Sequence, residues 1–236
     1  VDTQLSHEYY VQKKLSFLKS FDRVALRVGE VLSRTYEPTR VRQILRKTHR
    51  AFEALLPRVP YIGGRANPFT GNLLQAAWCL AFYKTMKSQG ESVETVGQII
   101  HEAIELQLHT YPRLLLYPCI LTKINRQTIN ALKKQAADSE QMYTPQGWRF
   151  EVVDGDGQTF DVGINYHECG LCKFYHAQRA DELTRYMCEI NTPVSKAFNI
   201  ELSQTERIPN GNPECKIRLA RKKCNRHAAT NRPVQG

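Results

Sequence analysis

The sequence predicts an α+β protein: a helical N-terminal lobe packed on a C-terminal antiparallel β-β-α-β-β lobe. Three observations carry that expectation. Apolar residues recur at helical spacing through the first two thirds of the chain, the period changes to two near Gln146, and Asp-Gly and Asn-Gly turn signals cut the last third into short elements. The expected division is 1–145 for the helical lobe, 146–220 for the α+β lobe and 221–236 for a disordered basic tail, with both lobes in one compact unit.

Leu15, Leu18, Phe21, Val24, Ala25, Val28, Val31 and Leu32 define the apolar face of one long helix, ended by Pro38. Val41 to Leu56 repeats the pattern with Ile44, Leu45, Phe52 and Leu55, and Pro57 and Pro60 stop it. The loop Tyr61-Ile-Gly-Gly-Arg-Ala-Asn-Pro-Phe-Thr-Gly71 precedes a strongly apolar helix from Asn72 to Gln89. Ser92 is placed to cap a helix reaching His109, and a further helix is expected from Cys119 to Ala137. Trp148, Phe150 and Val152, then Phe160, Val162, Ile164 and Tyr166, alternate as a hairpin around Asp154-Gly-Asp-Gly157. One helix from Cys172 to Cys188 is expected next, then a connection through Pro193, a strand from Phe198 to Gln204, a turn at Pro209 to Gly211 and a last strand from Glu214 to Leu219.

Apolar content of 42% and charged content of 24% are those of a globular chain able to bury a sizeable core. No apolar run approaches the roughly 20 residues needed to span a bilayer, and the opening Val1-Asp-Thr-Gln-Leu5 lacks the layout of a signal peptide, so a soluble, cytoplasmic protein with no membrane partner is expected. The net charge of +10 is spread over helical faces, with one concentrated run from Arg218 to Arg226 and no recognition motif beside it. A small molecule, rather than nucleic acid, is therefore the expected partner. Oligomeric state is not legible in the sequence. An odd count of seven cysteines in a chain of 236 residues predicts reduced thiols, with Cys79 and Cys119 inert in the core.

Chemistry concentrates elsewhere. Five cysteines fall in the last third, among them Cys169-Gly-Leu-Cys172, Cys188 and Cys215. Cys169 follows a strand and Cys172 opens a helix, so backbone N–H groups and the helix dipole should depress the pKa of whichever sulfur faces them. An unbroken helix would hold Cys172 and Cys188 about 24 Å apart at 1.5 Å per residue, which argues against a four-cysteine metal site unless the helix breaks near Ala177 to Ala180. No cofactor is expected, and the only metal alternative is Cys169, Cys172 and Cys215. His167 and His176 flank the cysteine pair as candidate bases. In the loop after Tyr61, Gly63 and Gly64 permit close backbone approach, Asn67 and Asn72 offer amides, and Arg65 suits a carboxylate. The same segment also reads as a capped helix start without any ligand.

Pro60-Tyr-Ile-Gly-Gly-Arg-Ala-Asn67-Pro-Phe-Thr-Gly-Asn72 with its following helix, the strand entering Cys169, Cys188 with a polar residue three positions on, and Thr205 before Gly211-x-x-x-Cys215 together resemble the L-2-amino-thiazoline-4-carboxylic acid hydrolase family, over about Val41 to Leu219. Asn191, Gln204 and Lys216 depart from that pattern, where the family usually has Asp, Arg and Asp. The resemblance implies hydrolytic opening of a small cyclic amidine or thiazoline carboxylate to an N-carbamoyl amino acid, by thiolate attack or by activated water. It implies Cys188 or Cys215 as the thiol with Cys169 nearby, Thr205 as a hydrogen-bonding group, and Arg65, Asn67, Asn72 and Asn191 as substrate-binding residues. Two other classes stay open: a thiol-disulfide redox protein using Cys169 and Cys172, and a non-catalytic small-molecule sensor module.

Overall fold

A computed structural model describes residues 3–110, 126–141, 143–198 and 200–221. Five helices build the N-terminal part: α1 (Thr3–Gln12), α2 (Lys14–Leu32), α3 (Pro38–Leu55), α4 (Thr70–Lys87) and α5 (Val93–His109). Pro38 sits in the first turn of α3, where its missing N–H leaves nothing unpaired, so it opens a helix as well as closing the preceding loop. Ser92 caps α5 as expected, its hydroxyl accepting the Thr95 N–H at 3.2 Å. Phe21, Ala25, Val28, Val31 and Leu32 of α2 are buried, but Leu15 stays 74% exposed and Val24 is exposed too, so the expected apolar face is shorter than its sequence pattern. Helix α4 is the centre of the core, with residues 76–83 buried on every side of it.

The helix α6 (Arg126–Gln141) leads into the sheet; the start of the helix expected from Cys119, and Cys119 itself, lie outside the described residues. Strands β1 (Arg149–Asp154), β2 (Val162–Glu168), β3 (Ile200–Glu206) and β4 (Cys215–Arg221) form one antiparallel sheet in the order β1-β2-β4-β3. The fold is thus α+β. The turn expected at Asp154 to Gly157 widens into a loop held by Asp156, whose carboxylate accepts from the backbone N–H groups of Gln158, Thr159 and Phe160 and from the Thr159 hydroxyl. That wrap of donors holds its carboxyl well below the ordinary range.

The single helix expected between Cys172 and Cys188 is two helices, α7 (Gly170–Ala177) and α8 (Asp181–Glu189). The break is a left-handed residue, Arg179 at φ 53°, with the Ala180 N–H reaching back to the Tyr175 carbonyl at 2.9 Å. This is a Schellman-type ending, a position that glycine normally fills. Asp181 and Glu182 then begin α8 with negative charge at its positive end. The Pro193 connection is itself helical, α9 (Asn191–Ala197), with the proline tolerated in the first turn.

One apolar cluster joins α1–α5 to α7 and α8, bringing Phe174, Tyr175 and Leu183 against α4 and its neighbours. The Tyr175 hydroxyl donates to the Ala76 carbonyl at 3.0 Å, which satisfies a polar group in the middle of that cluster. Tyr186 of α8 lies over Gly97 of α5, where any β-carbon would stand 2.3 Å from its ring, so this helix pair depends on glycine. A smaller cluster seats Ala136 of α6 against Phe150, Ile164 and Ile217 of the sheet.

Candidate functional site

Strand periodicity decides which side chains face inward. Tyr166 is registered opposite Cys215, and Gln204 opposite Ile217, so all four share one face of the sheet. At the end of β2 the chain passes through Cys169 into α7. Because Arg179 breaks the helical run, α8 folds back and returns Cys188 towards the sheet. Cys169, Cys188 and Cys215 therefore line one cavity of about 300 Å³, roofed by the start of α4 and by α8 and α9.

Asn72, Gln75, Asn191 and Gln204 supply the amides of that cavity, and Phe69, Trp148, Tyr166, Ile190 and Ile217 much of its apolar wall. Among the described residues, no Lys, Arg, His, Asp or Glu belongs to its lining. The Gln204 Oε1 is closed off from solvent and has no hydrogen-bond partner among the described residues. Among the described residues, no group of three or more His, Cys, Asp or Glu is arranged to hold a metal ion.

The thiols differ sharply. The Cys169 sulfur accepts from the Cys172 thiol, from the backbone N–H groups of Cys172 and Leu171, and from Trp148, which lowers its pKa to about 7 against the opposing effect of burial. Cys172 is the counterpart: donating to Cys169 and partly buried, it is pushed far up and keeps its proton. Burial pushes Cys188 up to about 12, with the neighbouring sulfurs adding to the effect and Arg207 opposing it. Cys215 is raised by burial as well, although the Ile208 N–H donates to its sulfur at 3.1 Å. The sequence led with Cys188 or Cys215; the electrostatics rank Cys169 first.

Trp148 is the participant that sequence reading missed, having counted it only as an apolar residue of an alternating strand. Its signal is in the hairpin register: Arg149 pairs with Glu168, so the preceding residue falls beside Cys169. The indole stacks on Phe69 with centroids 4.8 Å apart. It lies so close to the start of α7 that a β-carbon on Gly170 would stand 2.8 Å from its ring. Glu168 fixes the other side of this junction, paired with Lys173 and with Arg149 at 2.9 Å, and Lys173 chiefly, with Arg149, holds its carboxyl down at about 2.

Other expected residues stand apart. Thr205 is exposed, on the side of β3 opposite Gln204 and at a bulge in the register. Arg65 is exposed and outside the cavity lining. Asn67 is also outside it: its amide donates to the Ile62 carbonyl at 2.7 Å and accepts from the Phe69 N–H at 2.9 Å. The loop thus shapes the site through Phe69 and Asn72, with Gly63 and Gly64 in the left-handed region that lets it turn. His167 sits 3.4 Å from Glu214, and His176 is exposed beside Asp181; neither lines the cavity.

A family model described as L-2-amino-thiazoline-4-carboxylic acid hydrolase matches residues 71–219. The matched span starts at the beginning of α4, ends in β4 and takes in every residue lining the cavity except Phe69. No curated protein and no solved structure matches the chain.

Proposed function

The chain belongs to the L-2-amino-thiazoline-4-carboxylic acid hydrolase family, and from that premise we propose that it opens a small thiazoline-type cyclic amidine by hydrolysis, with Cys169 as the nucleophile. The observation that supports this reading is the set of donors converging on one sulfur at a helix start, beside a cavity of small-molecule size. The Cys169 thiolate adds to the ring carbon between nitrogen and sulfur, and the ring carbon–sulfur bond breaks with its electron pair leaving on sulfur, which takes a proton from solvent. Water then adds to the enzyme-bound carbon, and that carbon releases the Cys169 thiolate as the urea carbonyl forms. One water is consumed in all. The amides of Asn72 and Asn191 face the bound ring, and Cys172 holds the thiolate ready by donating to it.

The test is turnover of 2-amino-thiazoline-4-carboxylate and related rings, read as release of a titratable thiol and a mass gain of one water. Cys169→Ser should abolish it with the fold intact, whereas Cys188→Ser should retain most of it. The reverse pattern would return the nucleophile to Cys188.

A second reading has one observation in its favour. A lowered thiol hydrogen-bonded to a raised one, in a Cys-x-x-Cys at a helix start, is also the arrangement of a thiol-disulfide exchange pair. Exchange with a small disulfide substrate would then vanish in Cys172→Ala, whereas ring hydrolysis would only slow.

A further inference from the structure

A second cavity adjoins the one that holds the thiols and bears on the size of the substrate, an inference that rests on the proposed ring hydrolysis for the identity of the ring alone. It measures about 350 Å³ and is lined by residues of α2, α3, α4 and α5. Gln75 lines both cavities and is exposed, so the two meet beside the first turns of α4. Their walls differ. The thiol cavity carries amides and sulfurs, whereas the second has an aromatic floor. Phe21 stacks on Phe52 with centroids 5.4 Å apart and tilts against Trp78 at 5.6 Å, and Phe17 joins them in the lining. A wall of ring faces and edges suits an aryl group, which gains both apolar burial and ring–ring contact there.

Two features of the surrounding helices fit an occupant of this cavity. Val24 has the helical spacing of a core residue yet stays exposed, and it stands in the lining. Gly71 lines the cavity as well, at the exposed start of α4. Neither a left-handed backbone nor a close contact requires glycine at this position: a β-carbon would meet nothing within 4 Å among the described residues. Glycine weakens a helix relative to most side chains, so what Gly71 provides is open space at the mouth of the cavity.

We propose that the second cavity is a substrate subsite: the ring carboxylate that enters the thiol cavity carries an aryl substituent, which packs on Phe21, Phe52 and Trp78. Unsubstituted 2-amino-thiazoline-4-carboxylate then fills only the first of two adjoining sites.

The experiment compares three ring carboxylates on the full chain: 2-amino-thiazoline-4-carboxylate, its 2-benzylamino analogue and its 5-phenyl analogue. At least one aryl ring should exceed the plain ring by about tenfold or more in kcat/KM, the effect of moving a phenyl group from water onto an apolar wall. The analogue that does so identifies the point of attachment. Gly71→Leu places a side chain in the open mouth and should bring that ratio down to about one. Binding is read separately. The chain has two tryptophans, so in Trp148→Phe the emission comes from Trp78 and reports on the second cavity. The preferred aryl ring should change that emission saturably, and the plain ring should leave it unchanged. No advantage for either aryl ring, or an advantage that persists in Gly71→Leu, overturns the proposal. If none of the rings is opened, the hydrolase reading fails and the Trp78 emission decides the subsite by itself: a saturable response to an aryl ring upholds it, and no response overturns it.

Discussion

Replacing Cys172 by Ala removes the S–H that contributes most to lowering Cys169. A hydrogen bond to a charged group contributes about 1.5–3 kcal/mol, and one pKa unit corresponds to about 1.4 kcal/mol, so the Cys169 midpoint should rise by about one to two units. From a starting value of about 7, the thiolate fraction at neutral pH falls from about a half to between a tenth and a hundredth. Intrinsic nucleophilicity climbs as the pKa climbs, with a Brønsted slope of about 0.4–0.5, and returns part of that loss. Alkylation at neutral pH should therefore slow only about two- to eightfold, while the plateau at high pH rises above that of the unmodified chain. The assay is the pH profile of iodoacetamide modification, followed by mass spectrometry of the peptide carrying Cys169. Cys172→Ser restores a donor at the same place and should return the midpoint to within about half a unit of the original. Ala at this helical position adds no strain of its own. An unchanged midpoint in Cys172→Ala, or modification of Cys188 ahead of Cys169 in the unmodified chain, would refute the ranking of the thiols.

Trp148→Phe keeps an aromatic ring over Phe69 but loses the indole donor, and should raise the Cys169 midpoint by about one unit in the same assay. Gly170→Ala drives a β-carbon into Trp148 and the Gln146 carbonyl, each at 2.8 Å, and should cost about 1–3 kcal/mol, seen in urea as a lower midpoint with an unchanged slope. Arg179→Gly relieves a left-handed backbone at φ 53° and should stabilise the chain by about 0.5–1 kcal/mol, a rise of roughly 1–4 °C in Tm by calorimetry. A fall in Tm there would mean that the Arg179 side chain contributes more than its backbone strain costs.

The elements themselves were legible because their signals are local. The buried positions of α2, α3 and α5 repeat at helical spacing, the switch near Gln146 marks where β1 begins, and Ser92 announces the α5 cap. The short turn at Pro209 to Gly211 likewise marks β3 and β4 as antiparallel neighbours. The family resemblance was legible too, although the matched span begins at Gly71 and not at Val41.

What the chain withheld depends on contacts between distant segments. The break after α7 carries no glycine, because packing of Tyr175 and Leu183 into the common core holds Arg179 in a conformation that its own residue type disfavours. Without that break Cys188 would point away from Cys169. The register of β3 on β4, with Leu202 opposite Leu219 and Gln204 opposite Ile217, puts Gln204 and not Thr205 on the face that bears Cys215, and register is a property of paired strands rather than of one. The order of the thiols required knowing that Trp148 lies beside Cys169 and that Cys188 is buried away from any strong donor. By itself the sequence determined the helices, the strands and the residue types available for chemistry, since propensity and periodicity act within one segment. The tertiary structure alone decided which sulfur gathers the donors and which side chains line the cavity, because burial and hydrogen bonding act between segments.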